Sequence, residues 1–193
     1  MRPENLLSQE GEVYFYPDFF SEGESRELFE ILKETIQWKQ EPIKIMGKEI
    51  MQPRLTAWYG EQKTYRYSGI TMLPQIWTKE LLMIKERIES EAGCNFTNVL
   101  LNYYRDGNDS MGWHKDNEKE LGPNPVIGSV SFGVSRSFQF KNKSDQNLKE
   151  KVLLSNGSFL LMAGSTQHHW YHRVPKEPKI LESRINLTFR RII

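Results

Sequence analysis

Apolar positions change their period about halfway along the chain. Leu28, Phe29, Leu32 and Ile36 recur at three- to four-residue intervals, as do Leu81, Ile84 and Ile88. That spacing lays an apolar stripe along a helix, so helices are predicted over about 23–38 and 78–92. Ser21 and Glu24 stand ahead of the first at capping-box spacing, where each side chain can accept from the other's backbone N–H. A short strand, Val13 to Tyr16, precedes it and stops at Pro17-Asp18. Residues 39–69 show no period and are broken by Pro42, Gly47, Pro53 and Gly60, so an irregular segment is expected there. From Asn98 onward the period is two. Strands are predicted at Val99–Tyr104, Ile127–Phe132, Ser137–Lys141, Val152–Leu154, Phe159–Met162, His169–Val174 and Arg184–Arg191. Ser155-Asn156-Gly157 has hairpin-turn chemistry, and Lys141 to Lys151 reads as a polar, basic hairpin loop. Helices first and short strands afterwards predict an α+β fold whose strands form a sandwich or barrel.

Composition narrows the class. A chain of 193 residues suits one domain with a sizeable core. Its 12% aromatic content is too high for a disordered chain. Cys94 is the sole cysteine, which excludes an intrachain disulfide and argues against a cysteine-based zinc site. Met1 to Gly11 has no apolar core of a signal peptide. The longest apolar run, Phe159 to Ala163, is far short of the roughly 20 residues that span a bilayer. A monomer of the cytoplasm or nucleus, with no membrane contact, is the expectation. Charge is uneven: residues 134–193 carry eleven Lys and Arg against four Asp and Glu, net +7, while residues 1–133 are net −6. An anionic partner for the C-terminal third and a plain solvated basic face account for this equally well.

Candidate chemistry centres on His114-Lys115-Asp116. On extended backbone, residues two apart share a face with Cα atoms roughly 6.5 Å apart, close enough to ligate one metal ion. On a helix the same pair would diverge by about 200°. The other histidines cluster as His168, His169 and His172. A His-x-Asp half-site with a distant histidine is the 2-His-1-carboxylate triad of non-haem Fe(II) oxygenases. Strand parity alone leaves His168 and His172 equivalent. In the last predicted strand Arg184, Asn186, Thr188 and Arg190 alternate with Ile185, Leu187 and Phe189. Its polar face therefore presents two arginines and an asparagine, which in a buried strand require anions. Arginines leaning inward there could grip the two ends of a small dicarboxylate through their planar forks. Asn102 and Tyr104 share a face of their own strand and could complete that site. A zinc hydrolase or metal-storage protein gives no reason for the arginines. A nonenzymatic nucleic-acid-binding jelly roll gives no reason for the triad.

Together, Asn102-x-Tyr104, His114-x-Asp116, His172 within His169-Trp170-Tyr171-His172, and Arg184-x-Asn186-Leu187-Thr188-Phe189-Arg190 resemble the AlkB family of Fe(II)- and 2-oxoglutarate-dependent nucleic-acid demethylases. The resemblance runs from Val13 to Ile192. It is closest to the branch containing the human nuclear duplex-DNA repair demethylase, with which Tyr65-Arg66-Tyr67-Ser68-Gly69, Arg105-Asp106-Gly107 and Ser129-Val130-Ser131-Phe132-Gly133 are shared. It implies a double-stranded β-helix (jelly roll) over about 98–193, with N-terminal helices packed outside and a nucleotide-recognition lid over about 39–69. It implies that His114, Asp116 and His172 bind Fe(II), which selects His172 from the cluster. Arg190 and Asn102 would hold the C1-carboxylate and keto end of 2-oxoglutarate. Arg184 and Tyr104 would hold its distal carboxylate, with Asn186 in support. Tyr65, Tyr67, Ser68 and Glu118 would surround the flipped base, beside His114. Met46, Lys48 and Arg54 would meet DNA, Met46 as a wedge in the base stack. The implied reaction uses O₂ and removes N-methyl groups from N1-methyladenine and N3-methylcytosine in DNA, yielding formaldehyde, succinate and CO₂. RNA demethylation and small-molecule hydroxylation are the alternatives.

Overall fold

The computed structural model describes residues 2–45, 48–61, 65–67, 70–72 and 74–193, and the side chains of all of these except 44, 45, 48 and 65–72. In chain order the elements are β1 (Glu12–Tyr16), α1 (Glu22–Thr35), β2 (Pro42–Ile45), β3 (Lys48–Met51), β4 (Leu55–Gly60), β5 (Tyr65–Tyr67), β6 (Ile70–Met72), α2 (Lys79–Ala92), β7 (Asn98–Tyr104) and β8 (Met111–His114). A 3₁₀ turn at Lys119–Leu121 follows, then β9 (Ile127–Gly133), β10 (Arg136–Asn142), β11 (Lys149–Leu154), β12 (Ser158–Ala163), α3 (Thr166–His169), β13 (Trp170–Val174) and β14 (Arg184–Arg190).

The strands form a six-stranded sheet, β1-β12-β9-β14-β7-β4, and a four-stranded sheet, β11-β10-β13-β8. Two separate ribbons pair β2 with β3 and β5 with β6. The large sheet is covered on both faces. Outside, α1 and α2 set Leu28, Leu32, Ile36, Leu81, Ile84 and Ile88 against Val99, Leu101, Val130, Ile185, Leu187 and Phe189. Inside, Leu100, Ile127, Leu160 and Met162 meet Phe138, Phe140, Val152 and Trp170 of the small sheet. This is the expected jelly roll with helices outside.

Helix α1 begins where its capping box predicts, and α2 is capped as well. Ser21 and Glu24 form the capping box of α1, and Thr78 caps α2. Helix α2 ends at Gly93, whose φ of 66° is the left-handed conformation that closes helices. Helix α1 stops at Thr35, three residues before the expected end, because Ile36 is extended (ψ 135°).

Two expectations about regular structure need correction, and a third holds. The segment 39–69 is not irregular throughout: β4 pairs with β7 along Leu55 to Gly60 and is nearly all buried. Ser155-Asn156-Gly157 does not close a hairpin. It carries the chain from β11 in the small sheet to β12 in the large one, which do not pair. Gly157 has φ 74° and donates its N–H to the Ser131 carbonyl, while a Cβ there would lie 2.3 Å from Ser25 Oγ. The basic stretch from Lys141 to Lys151 is the expected hairpin: β10 and β11 pair antiparallel from Arg136↔Leu154 to Lys141↔Lys149, and residues 143–148 turn between them.

Candidate active site

The last strand sets the site's architecture. Every residue of β14 is buried, because the helices cover its apolar face and the small sheet covers its polar one. Arg184, Asn186, Thr188 and Arg190 therefore point between the sheets, as period-two alternation requires. Opposite them, β13 and β8 pair with His172 directly across from His114. The two imidazoles lie 4.2 Å apart, centroid to centroid. Asp116 follows two residues after His114. The ligand atoms of His114, Asp116 and His172 all lie within 4.8 Å of one another, the only such group among the described residues.

The remaining histidines are elsewhere. His168 and His169 belong to α3, a single helical turn, so the strand parity that made His168 equivalent to His172 does not exist. His168 contacts the Pro123 carbonyl and Asn124 on the surface. His169 faces Glu10 at 3.9 Å.

Neighbouring groups fix the protonation states. Burial would raise the Asp116 carboxyl, but the Arg190 guanidinium, with smaller help from both histidines, holds it at about 2. Arg190 Nη2 donates to Asp116 Oδ2 at 2.9 Å. Burial pushes His172 down to about 3, reinforced by His114. His114 is pushed down by burial as well. Both rings are thus neutral, the form that ligates metals. His114 Nδ1–H donates to the Gly112 carbonyl at 2.9 Å, which leaves the lone pair on Nε2. The Asp116 N–H donates to the buried Gln167 Oε1 at 2.9 Å, fixing the carboxylate's backbone.

At the other end of β14, Arg184 is buried over the Tyr104 ring, 5.2 Å from its centroid. Burial lowers it to about 10, partly offset by Tyr104. Its Nη2 donates to Ser131 Oγ at 2.9 Å, whereas Nε and Nη1 are buried without an acceptor. Asn186 is saturated within the protein: Nδ2 donates to Ser129 Oγ and the Val130 carbonyl, and Oδ1 accepts from Thr188. It braces β14 against β9. Between the ends, Asn102, Tyr104, Asn186, Thr188 and Arg190 line one narrow cavity with His114, Asp116 and His172; Leu100, Phe138, Met162 and Val174 form its apolar walls.

Arg54 corrects an expectation. Placed by the sequence among DNA contacts, it is only 5% exposed. Its Nε donates to Asn102 Oδ1 at 2.7 Å and Nη1 to the Ser110 carbonyl. An inward arginine bound to a neutral amide cannot meet phosphates outside. The bond turns the Asn102 amide so that its NH₂ end is left for the cavity. Gln167 and Arg54 were both missed as site supports, since their partners lie 51 and 48 residues away. Glu118 is half-buried just before the 3₁₀ turn and lines a neighbouring pocket with Lys119, Pro123 and His168, not the metal cavity. Tyr65 and Tyr67 lie in β5 and Lys48 in β3, with side chains outside the description; Met46 and Ser68 lie outside the described residues.

A profile of the 2OG-Fe(II) oxygenase superfamily matches residues 12–190. Alpha-ketoglutarate-dependent dioxygenase alkB homolog 3 of Rattus norvegicus is 43% identical over 189 residues, covering 93% of this chain and 64% of its own length. DNA oxidative demethylase ALKBH2 of Homo sapiens is 36% identical over 198 residues, covering 97% of this chain and 76% of its own. The resemblance thus extends to both proteins, at higher identity to the first than to the second. The chain spans about two thirds or slightly less of the length of the alkB homolog 3 proteins it matches, 64% in rat and 66% in human. A solved structure of OsALKBH1 superposes with a TM-score of 0.65 at 19% identity, covering 93% of this chain and 97% of that one, which supports the shared jelly roll. The metal triad, the arginine strand and the matched span together place the chain in the 2OG-Fe(II) oxygenase superfamily, within its AlkB family.

Proposed function

We propose that this protein is an Fe(II)- and 2-oxoglutarate-dependent dioxygenase that removes N-methyl groups from DNA bases, N1-methyladenine and N3-methylcytosine foremost. One observation carries the reading: a His114–Asp116–His172 cluster, half-buried at His114 and buried at the other two, lies between two sheets whose inner face also presents Arg184 and Arg190. The donor set fits the cofactors. Asp116 Oδ1 and His172 Nδ1 are buried without partners, as are Arg184 Nε and Nη1. An ionised carboxylate and two neutral imidazoles suit Fe(II) with open positions left for cosubstrates. When bound, Fe(II) and 2-oxoglutarate supply O₂-driven oxidation of the methyl C–H bond, coupled to decarboxylation to succinate and CO₂.

The chain's own residues prepare that chemistry. His114, Asp116 and His172 would hold the metal, and Arg190 keeps Asp116 ionised. Arg184, with Tyr104, would take the distal carboxylate of 2-oxoglutarate through its partnerless N–H groups. Asn102, turned by Arg54, and Arg190 would take the other end. The apolar walls exclude water, which strengthens each charged contact. Tyr65, Tyr67 and Ser68 would receive the base, under a lid formed from about 39–69, with Glu118 in the neighbouring pocket rather than in the metal cavity. A methylated, cationic base has lost its pairing edge and so is cheaper to flip out than an intact one. Tyrosine faces favour its charge.

The name of the human relative, a DNA oxidative demethylase, supports DNA as the substrate class. The test is formaldehyde release from methylated oligonucleotides, DNA and RNA, single-stranded and duplex. Formaldehyde should form only with 2-oxoglutarate, and faster from DNA. Succinate production that ignores every methylated oligonucleotide would point to a small-molecule hydroxylase instead.

A further inference from the structure

Behind the Arg184 end of the cavity, three arginines gather with two carboxylates. Arg136, Arg184 and Asp109 are buried, and Glu177 is partly exposed, 29% at its side chain. They pair unequally. Arg105 takes both oxygens of Asp109, each at 2.8 Å. Arg136 Nε donates to Glu177 Oε2 at 3.0 Å, and its Nη atoms donate to the Asp106, Asp109 and Pro175 carbonyls. Arg184 makes no ion pair among the described residues. The group therefore sums to a single positive charge, which stands on Arg184.

Arg136 is near enough to matter. Its guanidinium carbon lies 5.6 Å from the Tyr104 ring centroid, and that of Arg184 lies 5.2 Å from the same centroid. Burial is the main cause that lowers Arg184; Arg136 lowers it further, and Glu177 raises it. Both charges act on Arg184 largely through protein, where Coulomb interactions are screened less than in water. Glu177 is also fixed in place. Its Oε2 accepts from the Ser137 N–H at 3.1 Å, and its own N–H donates to the Gly107 carbonyl at 2.7 Å. Among the described residues no other carboxylate pairs with the Arg136 guanidinium.

We infer that Glu177 determines cosubstrate specificity: by neutralising Arg136 it holds the tail subsite at one net positive charge, so that the subsite takes a single carboxylate and disfavours dianionic tails. The inference rests on the reading of Arg184 as partner of the distal carboxylate, and assigns a role to a residue that touches neither metal nor cosubstrate. With Arg136 left unneutralised, the subsite would be doubly positive. It would then suit a doubly charged tail, such as a phosphonate, better than a carboxylate.

The test is Glu177→Gln, which keeps an oxygen for Arg136 and Ser137 and removes only the charge. The full chain is loaded with Mn(II), and ligand binding is measured by calorimetry in mildly alkaline buffer. The ligands are 2-oxoglutarate and 2-oxo-4-phosphonobutanoate, which has the same 2-oxo acid head and a dianionic tail. At an effective dielectric constant of about 20, a unit charge about 10 Å away changes the binding of another by roughly tenfold. Solvent at the partly exposed Glu177 reduces this to roughly three- to tenfold. The variant should therefore bind 2-oxoglutarate about three- to tenfold more tightly, and gain about the square of that factor for the phosphonate. Loss of a merely structural brace would weaken both ligands. Glu177→Asp keeps the charge and should return both affinities toward wild type, whatever its Tm. Unchanged or weaker 2-oxoglutarate binding in Glu177→Gln, or equal gains for the two ligands, overturns the inference and leaves the cosubstrate reading standing. A wild type that binds neither ligand overturns the cosubstrate reading, and the role of Glu177 with it.

Discussion

Replacing Arg184 with lysine keeps a cation but removes the guanidinium fork. In the folded chain Arg184 Nη2 is satisfied by Ser131, while Nε and Nη1 are buried without acceptors. Burial has pulled the group down to about 10, as for a cation awaiting its anion. A carboxylate taking both N–H groups would gain two charge-assisted hydrogen bonds, each contributing about 1.5–3 kcal/mol. Lysine can supply one at best, from a shorter reach. The loss of about 1.5–3 kcal/mol corresponds to roughly a 10- to 150-fold rise in KM for 2-oxoglutarate, at 1.4 kcal/mol per tenfold. The assay is succinate formation without a nucleic-acid substrate, across a 2-oxoglutarate series. A KM within twofold of wild type, together with a lowered Tm, would refute the reasoning and leave Arg184 a structural residue. The same argument requires 2-oxoglutarate to raise the wild-type Tm, and to raise that of Arg184→Lys much less.

Arg136 is fully buried, pairs with Glu177 at 3.0 Å and donates to the Asp106, Asp109 and Pro175 carbonyls. Arg136→Met leaves those acceptors stranded and should cost about 3–5 kcal/mol in a urea melt; a loss under 1 kcal/mol would deny it that role. Arg54→Met should raise the KM for 2-oxoglutarate while leaving Fe(II) affinity within twofold, because it releases Asn102 and touches no metal ligand; equal losses of both would show a general collapse of the site. In chelated protein the folded-state value of His172, about 3, lies below its ordinary value of 6.5. The unfolded chain then binds more protons between those two values, so this contribution to stability is intact above pH 6.5 and lost as pH falls toward 3. A His172→Phe variant should show a shallower loss between pH 6.5 and 4, and an identical slope would contradict the neutral, buried histidine.

Legibility followed the range of the interactions. Period-two alternation in Arg184–Arg190 showed which side chains share a face, because strand geometry is local. It did not show that the opposite face would be covered by α1 and α2, which makes both faces interior. The His114–Asp116 half-site was readable for the same local reason, although β8 itself was not: Met111–His114 is only four residues long, too short for its alternation to stand out. The choice of His172 over His168 could not come from parity. It depends on Ser165 to His169 turning as a helix before β13 starts, so that only His172 pairs with His114. Arg54 was misplaced because a basic residue in a loop-like stretch reads as surface, and its partner Asn102 is brought to it only by the pairing of β4 with β7. The Ser155-Asn156-Gly157 turn chemistry was right, but turn residues do not reveal which sheet the chain enters next.

The account stands most directly on one measurement: anaerobic titration of the protein with Fe(II) and 2-oxoglutarate, read as visible absorbance, in wild type, His172→Ala and His168→Ala. A weak charge-transfer band that needs both additions should grow to one equivalent in wild type and His168→Ala and be absent in His172→Ala. No band in wild type, or a band kept by His172→Ala and lost by His168→Ala, would contradict the metal site on which the rest depends.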